Sequence, residues 1–83
     1  MSDVKIYTAN YCPYCTRVKQ FFSDKNIAFE EIDITNDTEA RAALTEKTKV
    51  RTVPQVFIND EFVGGCDDIL ALDAKGELDS YLQ

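Results

Sequence analysis

The chain has 83 residues, 45% of them hydrophobic and 29% charged, and a formal net charge of -6. Its length suits one domain, read here as 1–83, and the acidic balance argues against a nucleic acid as partner, because such binding rests on neutralising phosphates. No apolar run approaches the roughly 18 residues that span a bilayer. Three cysteines and no histidine fall short of both a disulfide scaffold and an ordinary zinc site, so no bound metal is expected. The N-terminal MSDVKIYT lacks a basic region followed by a long apolar one, so no secretory signal is expected either.

Residues 3–8 (DVKIYT) alternate Val4 and Ile6 against Lys5 and Tyr7, the period of a strand. Pro13 fits the first turn of a helix, where its missing N–H costs nothing. Residues 13–25 continue that helix: Cys15, Val18 and Phe22, with Tyr14 and Phe21 alongside, recur every three or four positions and mark an apolar face. Asn26 supplies the stop, and 27–33 read as a second strand. Asn36 with Glu39 three positions later resembles a capping box. It opens a helix over 37–47 that buries Ala40, Ala43 and Leu44 and pairs Asp37 with Arg41.

Residues 55–58 and 61–63 read as two short strands joined at Asn59-Asp60, a pair that favours a tight hairpin. Gly64-Gly65 breaks the second of them. Asp67 and Asp68 suit the first turn of a last helix, where carboxylates complement the dipole. Ile69, Leu70 and Leu72 face inward from it, Gly76 ends it, and 77–82 add a further turn or two. The order is β-α-β-α-β-β-α. A parallel βαβ crossover and an antiparallel hairpin combine into one four-stranded mixed sheet flanked by helices, an α/β fold.

The motif with chemistry is Cys12-Pro13-Tyr14-Cys15. Cys12 stands at the N-cap of the first helix, where free backbone N–H groups and the dipole favour a thiolate. Cys15 lies one turn later, deeper on the apolar face, and is expected to stay protonated and less reactive. That asymmetry gives an attacking and a resolving thiol. A structural disulfide across two intervening residues would constrain the unfolded chain little, so redox exchange is the favoured reading. Two further segments accompany it. Thr52-Val53-Pro54 precedes a buried strand; a cis bond at Pro54 would leave the backbone of Val53 free to pair with an extended substrate. Gly64-Gly65-Cys66-Asp67-Asp68 places two glycines before a helix N-terminus, a ready site for a carboxylate, and Asp68 can accept from an ammonium.

Together these residues resemble a glutaredoxin. KIYT, CPYC, TVPQVFI, GGCDD and ALDAKGEL stand in that family's order and spacing. The resemblance implies the thioredoxin fold and a cytoplasmic, monomeric glutathione-disulfide oxidoreductase. Glutathione would be the cosubstrate, with no bound cofactor. Disulfide-bonded or glutathionylated proteins, ribonucleotide reductase among them, would be the partners. It further implies Cys12 as nucleophile and Cys15 as resolving thiol, joined in a redox disulfide. Thr52 and Val53 would flank the glutathione cysteine, beside a cis Pro54. Cys66, Asp67 and Asp68 would hold the γ-glutamyl end, with Tyr14 and Arg51 lining the groove. Many relatives carry a lysine three residues before the nucleophile; here that residue is Ala9, which leaves the glycyl carboxylate to Arg51, helped by Lys47 or Lys49. Two alternatives stand beside this reading. One is a redoxin of the same fold fed by thioredoxin reductase. The other is an iron–sulfur carrier that uses Cys12 and glutathione across a dimer, which Pro13 disfavours. Cys66 reads as a small buried hydrophobe.

Overall fold

The computed structural model describes residues 3–82; Met1, Ser2 and Gln83, the outermost residues of the expected 1–83 domain, lie outside the described residues. The elements are β1 (Val4–Thr8), α1 (Pro13–Asp24), β2 (Glu30–Asp33), α2 (Thr38–Thr48), β3 (Gln55–Ile58), β4 (Glu61–Gly64), α3 (Cys66–Ala74) and α4 (Leu78–Tyr81). They build one sheet in the order β2-β1-β3-β4. β1 runs parallel to β2 and antiparallel to β3, and β3 pairs antiparallel with β4. This is the four-stranded mixed sheet that the pattern predicts, in the thioredoxin-like α/β architecture that the resemblance implies.

Side-chain alternation splits the core into two layers. Val4, Ile6, Val56 and Ile58 face α1, α3 and α4, where they meet Val18, Phe22, Cys66, Ile69 and Leu78. Phe57 points the other way, to Ile34 and Leu44 of the α2 side. Because β3 is covered on both faces, all four of its residues are buried and its sequence QVFI shows no polar alternation. The site described below sits where β1 gives way to α1 and where the chain enters β3, at one end of this two-sided core.

Several local expectations are corrected. The second strand is shorter than 27–33, because Ile27 N–H still closes on Phe22 O beyond α1 and pairing with β1 begins only at Lys5–Glu30. Asn26 ends the turn in a left-handed conformation, φ 59°. α2 is capped by Asp37, whose carboxylate accepts from Ala40 N–H at 2.9 Å, so the Asn36–Glu39 box does not form. With that carboxylate engaged, Arg41 reaches instead to the hydroxyl of Tyr11 at 3.0 Å. Ala43 is exposed; Ala40 and Leu44, one turn apart, face the sheet. The Asn59-Asp60 turn adopts positive φ at both residues, 54° and 68°, as a tight hairpin requires. Gly64 closes β4 rather than breaking it, and α4 is a single turn. Among the described residues no helix is long and apolar enough to cross a membrane.

Candidate active site

Cys12 is the N-cap residue of α1, with extended backbone (φ -108°, ψ 106°), and Pro13 begins the helix. Helix geometry leaves the first N–H groups without partners. One of them, Cys15 N–H, donates to Cys12 Sγ at 3.1 Å, and Cys12 Sγ donates to Val53 O at 3.4 Å. Both contacts come from main chain, so the sulfur is placed by the fold itself. Cys15 is 1% exposed. Burial, followed by its hydrogen bond to Cys12, pushes its thiol up to about 12, while the Ala9 backbone and Lys19 pull in the opposite direction. The structure therefore separates the two thiols as expected, one half-buried at the helix start and one deep beneath it. Both are free, as is Cys66.

The Val53–Pro54 peptide is cis. The loop before it is held from below by Gln55, a buried side chain whose Nε2 donates to Val50 O and Thr52 O, both at 2.9 Å. Those two bonds bracket Arg51 and set the course of Thr52 and Val53 past Cys12. Val53 N–H finds no acceptor among the described residues.

Facing this loop, Gly64 adopts φ 143°, and a Cβ there would lie 2.5 Å from Asp68 Oδ2. A Cβ on Gly65 would sit 3.2 Å from Pro54 O. Gly65 thus lets the start of α3 approach the cis-proline loop, and Gly64 leaves room for the Asp68 side chain to fold back over the start of the helix. Asp68 Oδ2 accepts from Gly65 N–H at 3.0 Å, which caps α3 and leaves Oδ1 available. Between the loop and α3 lies a cavity of about 340 Å³ lined by Tyr14, Thr52, Val53, Pro54, Gly65, Cys66, Asp67 and Asp68. Seven of the sequence-predicted site residues meet there, with Gly65 as the addition. Cys66 lines the cavity although it is buried in the core, and burial pushes its thiol up.

Arg51 lies on the other flank of Cys12. A second cavity, about 320 Å³, is lined by Tyr11, Cys12, Pro13, Arg41, Arg51, Thr52 and Val53. It shares Thr52 and Val53 with the first, so the two clefts meet at the Val53 backbone. Lys47 and Lys49 do not join it. The Lys47 ammonium sits over the Phe57 ring at 5.0 Å, and Lys49 pairs with Glu46 at 3.7 Å. Ala9 is buried. Tyr11, 63% exposed, and Arg41 are brought to Cys12 without having been expected there. Local spacing assigned Arg41 to Asp37, four positions earlier on the same helix; a bond across 30 residues leaves no trace in such spacing. A larger hollow, about 550 Å³, lies between Asn10 and the start of α2, but Asp33, Asp37 and Glu39 line it and no cysteine does.

Comparison with known proteins points one way. The glutaredoxin family model matches residues 4–63. Glutaredoxin 3 of Escherichia coli (strain K12) is 43% identical over 83 residues, covering 100% of both chains. A glutaredoxin of Pseudomonas aeruginosa is 46% identical over 82 residues, 99% of this chain and 98% of that one. Among solved structures, a buckwheat glutaredoxin–glutathione complex superposes with a TM-score of 0.89 at 32% identity, over 98% of this chain and 76% of the other. The solution structure of a Brucella melitensis glutaredoxin gives 0.83 at 47% identity, over 94% and 85%.

Proposed function

The chain belongs to the glutaredoxin family of thiol–disulfide oxidoreductases, and from that premise we propose that it uses glutathione to reduce protein disulfides and protein–glutathione mixed disulfides. The observation that carries this reading is the cleft beside Cys12, which gathers Tyr14, Thr52, Val53, Pro54 and the start of α3 within one cavity. Its shape and chemistry suit an extended tripeptide. The free Val53 N–H offers an edge for the cysteinyl backbone, as in strand addition. The unpaired N–H groups at Cys66 and Asp67 suit the γ-glutamyl carboxylate. Asp68 Oδ1 is left for the ammonium, and Arg51 faces the glycyl carboxylate in the adjoining cavity. Arg41, fixed by Tyr11, stands in that same cavity and fills the part expected of Lys47 or Lys49.

The reaction follows from the two thiols. In the monothiol route the Cys12 thiolate attacks the glutathione sulfur of a protein mixed disulfide. The protein leaves as a thiolate, and a second glutathione then takes the glutathionyl group as oxidised glutathione. In the dithiol route Cys12 forms a mixed disulfide with a protein and Cys15 displaces that protein, leaving a Cys12–Cys15 disulfide for two glutathiones to reduce. No bound cofactor enters either route. The same reading makes the chain a cytoplasmic monomer with disulfide-bonded and glutathionylated proteins as partners, ribonucleotide reductase being one of that class.

The reading is tested by glutathione-coupled turnover of a glutathionylated substrate. Arg51→Ala and Asp68→Asn are each expected to raise the apparent KM about five- to tenfold with little change in kcat, the effect of losing one charge-assisted contact made equally in ground and transition states. An unchanged KM for either variant would remove that residue from the site.

A further inference from the structure

Cys15 has a task its surroundings oppose. In the dithiol route, on which this inference rests, it must lose a proton before it can attack, yet it is buried and its thiol is pushed up to about 12. Part of that opposition disappears at the moment of need. Once Cys12 is in a mixed disulfide it carries no charge and shares no proton with Cys15, so both upward influences of Cys12 vanish. Burial remains, countered by the Ala9 backbone and by Lys19. The charged and titratable groups acting on Cys15 are thus Cys12 at the start of its helix, Lys19 on the same helix, and Glu31 of β2 through Lys19.

Lys19 is placed for this. It follows Cys15 by four positions on α1, so the two side chains share a face, with Cβ atoms about 5–6 Å apart. A lysine at such a half-exposed position ordinarily extends into water. Here its ammonium donates to Glu31 Oε2 at 2.9 Å, and the same oxygen accepts from Thr8 Oγ1 at 2.8 Å. Thr8 is buried on β1, next to Ala9. Three elements converge to fix one cation a helical turn along α1 from the buried thiol. Glu31 is held below the usual carboxylate range by Lys19 first and Thr8 second, so its charge, and with it the anchor, persists at neutral pH.

We propose that Lys19, anchored by Glu31 and Thr8, is a positioning residue of the resolving step, where its ammonium favours departure of the Cys15 proton. In that step the proton passes to water. A bond forms between the Cys15 and Cys12 sulfurs as the bond from Cys12 to the substrate sulfur breaks. The substrate leaves reduced, as a thiolate that takes up a proton, and the two cysteines are oxidised to one disulfide.

Stopped-flow reaction of the reduced protein with dithiobis(nitrobenzoate) separates the steps. Attack by Cys12 releases one coloured thiolate, and resolution by Cys15 releases a second. Lys19→Met is expected to slow the second burst about threefold, the effect of losing one half-exposed charge a helical turn away in a largely aqueous dielectric, and to leave the first unchanged. The second burst of that variant should match the wild-type rate only at about half a pH unit higher. Lys19→Arg, which keeps the cation, should restore it. A second burst unchanged in Lys19→Met, or both bursts slowed alike, would overturn the proposal. A missing first burst in the wild-type protein would overturn the underlying dithiol reading, and the proposal with it.

Discussion

Cys12→Ser is expected to bring glutathione-coupled reduction of a mixed disulfide to background, a loss of about 10³-fold or more, as for removal of a nucleophile elsewhere. No other thiol can substitute. Cys15 and Cys66 are both buried, and burial pushes both thiols up. Cys15→Ser should behave differently. Its side chain makes no contact with the cavity that holds the proposed glutathione residues. The N–H that donates to Cys12 Sγ belongs to its main chain and survives the substitution. The variant should therefore retain turnover of glutathionylated substrate and lose turnover of protein disulfides that need a resolving thiol. Assaying both substrates on both variants checks the division of labour. Activity surviving in Cys12→Ser would remove Cys12 from the nucleophile's place.

Phe22→Ala should have the largest effect on stability. Phe22 is fully buried on α1, packs against Phe21 and Phe29 at ring distances of 5.4 and 6.1 Å, and belongs to the main core with Ile6, Val18 and Ile69. Truncating such a ring costs about 3–5 kcal/mol, part for lost transfer and part for the cavity left behind. Stability of roughly 0.05–0.15 kcal/mol per residue gives a chain this short about 4–12 kcal/mol in total, so one substitution removes a large share. The thermal midpoint should fall by about 15–30 °C. Urea unfolding at low temperature gives the free energy directly, and a loss below about 1 kcal/mol would contradict the assignment of Phe22 to the core. Below its midpoint the variant should keep its redox activity, because Phe22 lies two turns of α1 away from the cysteines.

How much of this was legible in the sequence depends on how local the cause is. The sheet, its flanking helices and the cysteine placement follow from short-range signals: alternation in β1, Pro13 at a helix start, three- and four-residue spacing along α1. The cleft was legible for a different reason. CPYC, TVP and GGCDD each carry backbone requirements, and only their meeting, with Gly65 admitting α3 to the Pro54 loop and Gly64 making room for Asp68, had to come from the structure. Where two local rules competed, spacing chose the wrong one. Spacing put the cap of α2 at Asn36 and paired Asp37 with Arg41; the carboxylate of Asp37 took the cap instead, and this freed Arg41 for Tyr11. Contacts between distant segments were illegible throughout. The Gln55 clamp under Arg51, the Lys19–Glu31–Thr8 anchor, and Lys47 over Phe57 each join side chains whose nearness is set by the sheet order.

The central claim is that this dithiol draws its electrons from glutathione. The direct measurement supplies one glutathionylated substrate to the purified chain with two donors in parallel, glutathione recycled by glutathione reductase and, separately, thioredoxin reductase. Sustained turnover with glutathione and none above background with thioredoxin reductase is the predicted result. Turnover with thioredoxin reductase alone would contradict it, and would leave the Asp67–Asp68 cleft without the ligand assigned to it.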